Sequence, residues 1–272
     1  MIPTFCLAIP HAAWLPERAR MQADLLEALE IHGRDAHTFA DREHWSAWFV
    51  KILRWGVEAR GTHLLVLQDD VEVSPHFWEA LGAMVTAWPS DLVSLAATHS
   101  IGPEVARQGR RSYLTKKVVG WGYVLPMALV RDLLEWCLAG NMAAFRERLP
   151  TDGEDTMIGQ FLHERGLLAR CPVPTIIDHR FCASTNPGFD EHTHRRSTVT
   201  WRGFAPEDMA TPEWWLTTAA ELPPDDWRRC WWCGERPEGF RSAKTGALVC
   251  GTCVLSMVGA SMGLTITAGA TK

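Results

Sequence analysis

Two pairs of adjacent acids and a set of four cysteines have the types and spacing for chemistry. Asp69 and Asp70 close the stretch "LLVLQDDVEVSP", and Glu72 adds a third carboxylate just beyond them. A short apolar run of this kind reads as a strand buried on both faces, and ligands of open α/β sheets bind beyond the carboxyl ends of such strands. Acids placed there are functional candidates. The alternative is a solvated turn ahead of a helix that Ser74 and Pro75 would cap. Glu154 and Asp155 follow Gly153 in "DGEDTMIGQFLHERG". Acids in a first helical turn complement the helix dipole, which alone would account for one of them. Cys230, Cys233, Cys250 and Cys253 form C-x2-C-x16-C-x2-C. Each CxxC turn presents two thiolates to one side, and two turns complete a tetrahedron round zinc. Such a closed site leaves no position for catalysis, so the expected Zn2+ is structural and contributes on the order of 10 kcal/mol to a small module. Two disulfides are the competing reading. It is disfavoured because the first strand-like stretch lacks a signal-peptide pattern and Cys6, Cys137, Cys171 and Cys182 lie scattered elsewhere.

Composition sets the class in which these groups act. The 272 residues accommodate one large α/β domain and a small appendage. Hydrophobic residues make up 47%, charged residues 22%, and the net charge is −5, so no global basic signal points to nucleic acid and polyanion binding would have to be local. The opening "MIPTFCLAIPHAAW" has no basic region ahead of its apolar run and reads as a first strand, which makes the cytoplasm the expected location. The uncharged stretch 247–271 is interrupted by Gly251, Gly259, Gly263 and Gly269 and by several Ser and Thr residues. It falls short of the roughly 18 apolar residues a membrane span requires.

The elements that must position the acids follow from periodicity. "TFCLAIP" reads as a strand, and a helix follows with Pro16 in its first turn and Leu25, Leu26 and Leu29 on one face. "ADREHWSAWFVKILRWGVEARG" reads as a helix with Asp41 as N-cap, an apolar stripe of Trp45, Trp48, Phe49, Ile52 and Leu53, and Gly61 as its stop. Those tryptophans sit at helical spacing and read as core before ligand platform. The strand "THLLVLQDD", the helix "PHFWEALGAMVTAW" and the strand "DLVSLAA" come next. Residues 98–118 read as an exposed basic loop carrying Arg107, Arg110, Arg111, Lys116 and Lys117 against Glu104. "VVGWGYVLP" is strand-like, "MALVRDLLEWCLAG" is helical to Gly140, and a capped helix is expected from about Thr151 to Gly166. "LARCPVPTIIDHR" supplies the last strand material. Strands alternating with helices indicate an α/β fold with a mainly parallel sheet flanked by helices. The expected division is 1–204 for this domain, 205–227 for a linker or wrap, and 228–272 for the four-cysteine zinc module and tail.

In that order, "LLVLQDDVEV", "GWGYVLPMALVRDLL", "DGEDTMIGQFLHERG" and "PTIIDHR" resemble the nucleotide-sugar glycosyltransferases of the GT-A fold, over roughly residues 3–185. "QDD" is a loose form of that family's acidic motif. The resemblance implies a sugar-nucleotide donor and a catalytic Mn2+ or Mg2+, which would offset the charge of the leaving diphosphate. It assigns Asp70 as the main metal ligand, Asp69 as a ribose or metal contact, and Glu72 as a further candidate. His179 falls where several of these enzymes place a late metal or diphosphate ligand, or else it caps a strand end. The acid pair at Glu154 and Asp155 would supply the general base, with Asp155 preferred, and inversion is then the implied outcome. Pro10, His11 and Arg18 lie where the family binds its nucleotide, although a solvated helix face accounts for Arg18 and Arg20 as well. Gly120 and Gly122 would let a ligand approach the backbone, and Trp121 would either stack on a sugar or base or pack in a buried strand.

The zinc module carries Trp231 and Trp232 between two of its cysteines, and the cationic loop 107–117 precedes the acceptor segment. Both features suit a polyanion. The combination resembles bacteriophage enzymes that glycosylate hydroxymethylated pyrimidines in DNA, which would place a phage-encoded protein in the host cytoplasm. The target base would have to leave the stack to be modified. A cell-envelope saccharide or a protein is the alternative acceptor. In a different class of function, the chain would be a non-catalytic nucleic-acid or sugar-nucleotide binder with the zinc ribbon as its working part.

Overall fold

The computed structural model describes residues 2–30, 36–40, 45–97, 101–116, 118–148, 153–180 and 197–220. Its strands are β1 (Phe5–Pro10), β2 (Ala36–Phe39), β3 (His63–Leu67), β4 (Val71–Val73), β5 (Val93–Ser94), β6 (Ser112–Thr115), β7 (Gly122–Pro126), β8 (Ala169–Pro172) and β9 (Ile177–His179). The helices are α1 (Pro16–Ala28), α2 (Trp45–Glu58), α3 (Phe77–Ala87), α4 (Gly102–Arg107), α5 (Met127–Trp136), α6 (Met142–Arg148), α7 (Glu154–Glu164), α8 (Pro206–Met209) and α9 (Pro212–Trp215).

Seven strands form one sheet in the order β2-β1-β3-β7-β5-β8-β6. β1 pairs in parallel with β2 and β3, and β5 with β8. β7 opposes both β3 and β5, and β6 opposes β8. The expected mainly parallel sheet is therefore a mixed one, with β7 inserted antiparallel at its centre. Beside it, β4 and β9 form a two-stranded antiparallel sheet that sets Val71 opposite His179 and Val73 opposite Ile177.

β3 shows why its sequence is apolar without alternation. Leu65 and Leu67 enter one core with Leu25, Leu81 and Met84, while Leu64 and Val66 enter a second with Phe49, Ile52, Leu53 and Phe161. Both faces are covered by helices, and each such side chain contributes about 1.5–3 kcal/mol on burial. Of the stripe read for α2, Phe49, Ile52 and Leu53 are fully buried and Trp48 is partly buried. Its proposed cap Asp41 lies outside the described residues.

Two readings change. Residues 101–116 are not a bare loop: they form α4 and the edge strand β6. Arg110 donates to the Ala219 carbonyl at 3.0 Å, Arg111 lies 4.2 Å from the Trp214 ring, and Arg107 pairs with Glu104. Arg110 and Arg111 tie residues 214–219 to the sheet edge, and Arg107 stays exposed beside Glu104. Gly140 ends its helix as read: at φ +94 it breaks the helical backbone, and α6 starts just beyond it. The helix read from Thr151 begins at Glu154, with Gly153 as an N-cap that makes no side-chain bond. α8 and α9 pack against α3, with Trp215 fully buried 5.5 Å from Trp88, and Ala220 bridges to Tyr113 on β6. No helix among the described residues is long and apolar enough to cross a membrane.

Candidate functional site

β3 delivers Gln68, Asp69 and Asp70 to its carboxyl end, beside the end of β1 and the first turn of α1. Both aspartates are buried, at 0% and 2% exposure, so they are not solvated turn residues. Arg18 closes on them from α1. Its Nε donates to Asp69 Oδ1 at 2.7 Å, and its terminal nitrogens pair with Asp69 Oδ1 and Asp70 Oδ2. The Ala12 amide donates to Asp69 Oδ2 at 2.9 Å, and His11 Nδ1 lies 2.7 Å from the same oxygen. A buried carboxylate needs such partners, because an unpaired charge in the interior costs several kcal/mol. The solvated-face reading of Arg18 fails, since Arg18 is only 5% exposed, whereas Arg20 on the same helix is exposed.

From the other side, β9 brings His179 Nε2 to 3.1 Å from Asp70 Oδ2, and the Arg180 amide donates to the Asp70 carbonyl at 2.9 Å. Trp121, half-buried just ahead of β7, sets its ring 4.8 Å from that of His179 and its carbonyl on the Gln68 amide at 2.9 Å. Pro10 ends β1 opposite Phe39, and among the described residues it makes no side-chain hydrogen bond to the acids; its place in the strand directs His11 toward Asp69. Glu72 turns away from Asp70 and pairs with Arg202 at 2.7 Å.

Two residues outside the sequence reading complete the frame. Asp178, 1% exposed, accepts from the His179 and Ser197 amides at 3.0 and 3.1 Å and from Arg202 at 3.0 Å. Arg202 thereby joins Glu72 on β4 to Asp178 on β9 and holds together the small sheet that carries His179. Its only sequence signal is an acid beside a histidine at a strand end. Gln68 is the second. Its side-chain amide hydrogen-bonds Glu154, which links the acids after β3 to the acids opening α7.

Gly120 lies at that junction. A Cβ there would sit 3.2 Å from Glu154 Oε1, a tight contact, and 3.5 Å from Gln68 Nε2 and 3.6 Å from the Asp155 Cβ, so Gly120 packs closely against Gln68 and the acids opening α7. Burial pushes Glu154 up to about 8; the neighbouring Asp155 charge adds to this, while its own backbone amide and Gln68 oppose it. Asp155 is less buried, and its Oδ1 accepts the Thr156 amide at 2.8 Å. Tyr123 on β7 is fully buried, with a hydroxyl that has no hydrogen-bond partner among the described residues. Burial raises its pKa well above 10, and the Glu154 and Asp155 charges push it the same way.

Both oxygens of Asp69 and one of Asp70 are already engaged by protein groups. Asp69 already receives Arg18, His11 and the Ala12 amide, and Asp70 Oδ2 faces both Arg18 and His179. Among the described residues no three His, Cys, Asp or Glu side chains converge as a metal site. Cys230, Cys233, Cys250 and Cys253, with Trp231, Trp232 and Lys117, lie outside the described residues, as does Cys182. Cys137 and Cys171 are buried thiols pushed up to about 12, consistent with packing roles. No protein-family model matches the chain, and neither does any curated protein.

Proposed function

We propose that the protein transfers a sugar from a nucleotide-sugar donor to an acceptor hydroxyl at the carboxyl ends of β1 and β3. One observation carries this reading: Gln68, which leads from β3 into Asp69 and Asp70, hydrogen-bonds Glu154 at the start of α7, so one residue links two acid pairs 85 positions apart in the chain. In the proposed reaction the acceptor oxygen attacks the anomeric carbon and the bond from that carbon to the diphosphate oxygen breaks. The hydroxyl proton passes to Asp155, and the nucleoside diphosphate departs. Asp155 is the base because Glu154, held near 8 by burial, keeps its own proton at neutral pH. Trp121 offers a ring face beside His179 for the sugar or base. Arg18 offsets part of the charge of Asp69 and Asp70 beside the departing diphosphate. The four-cysteine segment is proposed to hold structural zinc, which elemental analysis would detect at one atom per chain.

For the acceptor we propose hydroxymethylpyrimidine in duplex DNA, on the strength of the Trp231–Trp232 pair within the cysteine segment, with saccharide and protein hydroxyls as the comparison arms. The test is release of nucleoside diphosphate from a panel of sugar nucleotides with each acceptor in turn. Turnover in the native protein and its loss in Asp155→Asn are expected. No turnover with any donor would sink the transferase reading and leave a binding protein in its place.

A further inference from the structure

We propose that Arg18 is the resident cation of the Asp69–Asp70 pair, and that the pair takes no divalent metal ion while Arg18 is in place. The inference departs from the metal-dependent chemistry expected at such a pair and concerns only what the pair binds, so it stands or falls independently of sugar transfer. The guanidinium is itself buried, with 6% of its side chain exposed, between carboxylates exposed at 0% and 3%. It engages one oxygen of Asp69 through Nε and a terminal nitrogen, and one oxygen of Asp70 through the other terminal nitrogen. The second oxygen of Asp69 is taken by the Ala12 amide and His11, and the Asp70 oxygen that meets Arg18 also meets His179.

Mn2+ and Mg2+ bind through several oxygen ligands in near-octahedral geometry. To use either oxygen of Asp70, such an ion would have to displace the guanidinium from Oδ2 or sit within about 6 Å of it on the Oδ1 side, where like charges in the interior repel by several kcal/mol. Displacement would leave a permanently charged group buried without its anions, because arginine does not shed its proton in proteins. Two carboxylates and one guanidinium leave a single net negative charge, against two for an open pair, and the attraction for a divalent ion falls accordingly. The planar fork of arginine also matches two carboxylates in a way a lysine ammonium would not. Position 18 therefore sets which cation the pair holds.

The experiment is Mn2+ binding to the full chain, followed by loss of the free-ion paramagnetic resonance signal, with and without inorganic pyrophosphate. Asp70→Asn serves as the control for Asp70-dependent binding. The native protein is expected to show no Asp70-dependent Mn2+ in either condition, whereas Arg18→Met gains a site at least about tenfold tighter. That site should vanish again in Arg18→Met/Asp70→Asn, and Mn2+ should raise the melting temperature of Arg18→Met only. Asp70-dependent Mn2+ binding in the native protein, with or without pyrophosphate, overturns the proposal; so does an Arg18→Met protein that folds and binds no Mn2+. If Arg18→Met does not fold, comparison of the native protein with Asp70→Asn decides it. Failure of sugar transfer in a protein that behaves as expected toward Mn2+ would count against the transferase reading alone.

Discussion

The rings of Trp121 and His179 lie 4.8 Å apart at 45°, and the same histidine reaches Asp70 through Nε2 at 3.1 Å. Trp121 thus braces, from the β7 side, a ring that β9 delivers to the acids. It is half-buried, with surface left for a ligand. Aromatic pairing of this kind contributes about 0.5–1.5 kcal/mol beyond burial.

Trp121→Ala should therefore raise KM for the sugar nucleotide by roughly 3- to 10-fold, while Trp121→Phe stays near the native value. Steady-state release of nucleoside diphosphate measures both. An unchanged KM in the alanine variant would assign the ring to packing alone.

Asp69 gathers Arg18, His11 and the Ala12 amide in the interior. Asp69→Asn keeps the volume and an acceptor for the amide but removes the charge that Arg18 faces. Loss of one partner from a buried ion pair costs about 3–5 kcal/mol, which in a domain of this size lowers the melting temperature by on the order of 10 °C. Arg18→Met/Asp69→Asn should lose less than the sum of the two single variants, because Asp69 is then no longer left as a charge without Arg18 and only Asp70 loses its partner. Additive losses would mean that the pair is not coupled in solution.

The apolar run into Asp69 and Asp70 was legible because β3 is buried on both faces by local sequence alone, and the first turn of α7 carried its acids in plain view. Arg18 was ambiguous for a physical reason. On α1 it looks like Arg20, and only the acids 51 and 52 positions away take one arginine inward and leave the other in solvent. The cations before β6 misled in the same way, since the partner of Arg110 is a carbonyl 109 positions later. β4 and β9 have three residues each, too few for any periodicity, and they are visible only as a pair in space.

Residues 205–220 offer a sharper test of long-range packing. Trp215 is fully buried, its Nε1 donates to the Met209 carbonyl at 2.8 Å, and its ring meets Trp88 edge-on at 5.5 Å. Trp215→Ala should destabilise the protein by about 3–5 kcal/mol, with Trp215→Phe intermediate. Denaturant unfolding gives the number. A loss below about 1 kcal/mol would show that this segment does not dock on α3 in solution.

Glu154 links the candidate chemistry to stability. Its carboxyl is raised from 4.5 to about 8, first by burial and then by the charge on Asp155. The folded protein therefore keeps a proton on Glu154 that the unfolded chain gives up. Below pH 4.5 both states are protonated at this residue and its contribution to stability is fully present. As pH rises from there toward 8 the unfolded state is favoured by about 1.4 kcal/mol per pH unit for one proton, and above 8 both states are ionised and the slope ends. Glu154→Gln has no proton to release and should lack this decline. Depressed acids elsewhere, such as Asp132 beside Arg165, act in the opposite sense at acid pH and are common to both proteins. The measurement is urea unfolding of the native protein and Glu154→Gln at intervals from pH 5 to 9, with the variant gaining relative stability steadily up to about 8. Parallel curves would mean that Glu154 is ionised in the folded state, and the reason for preferring Asp155 as the base would go with it.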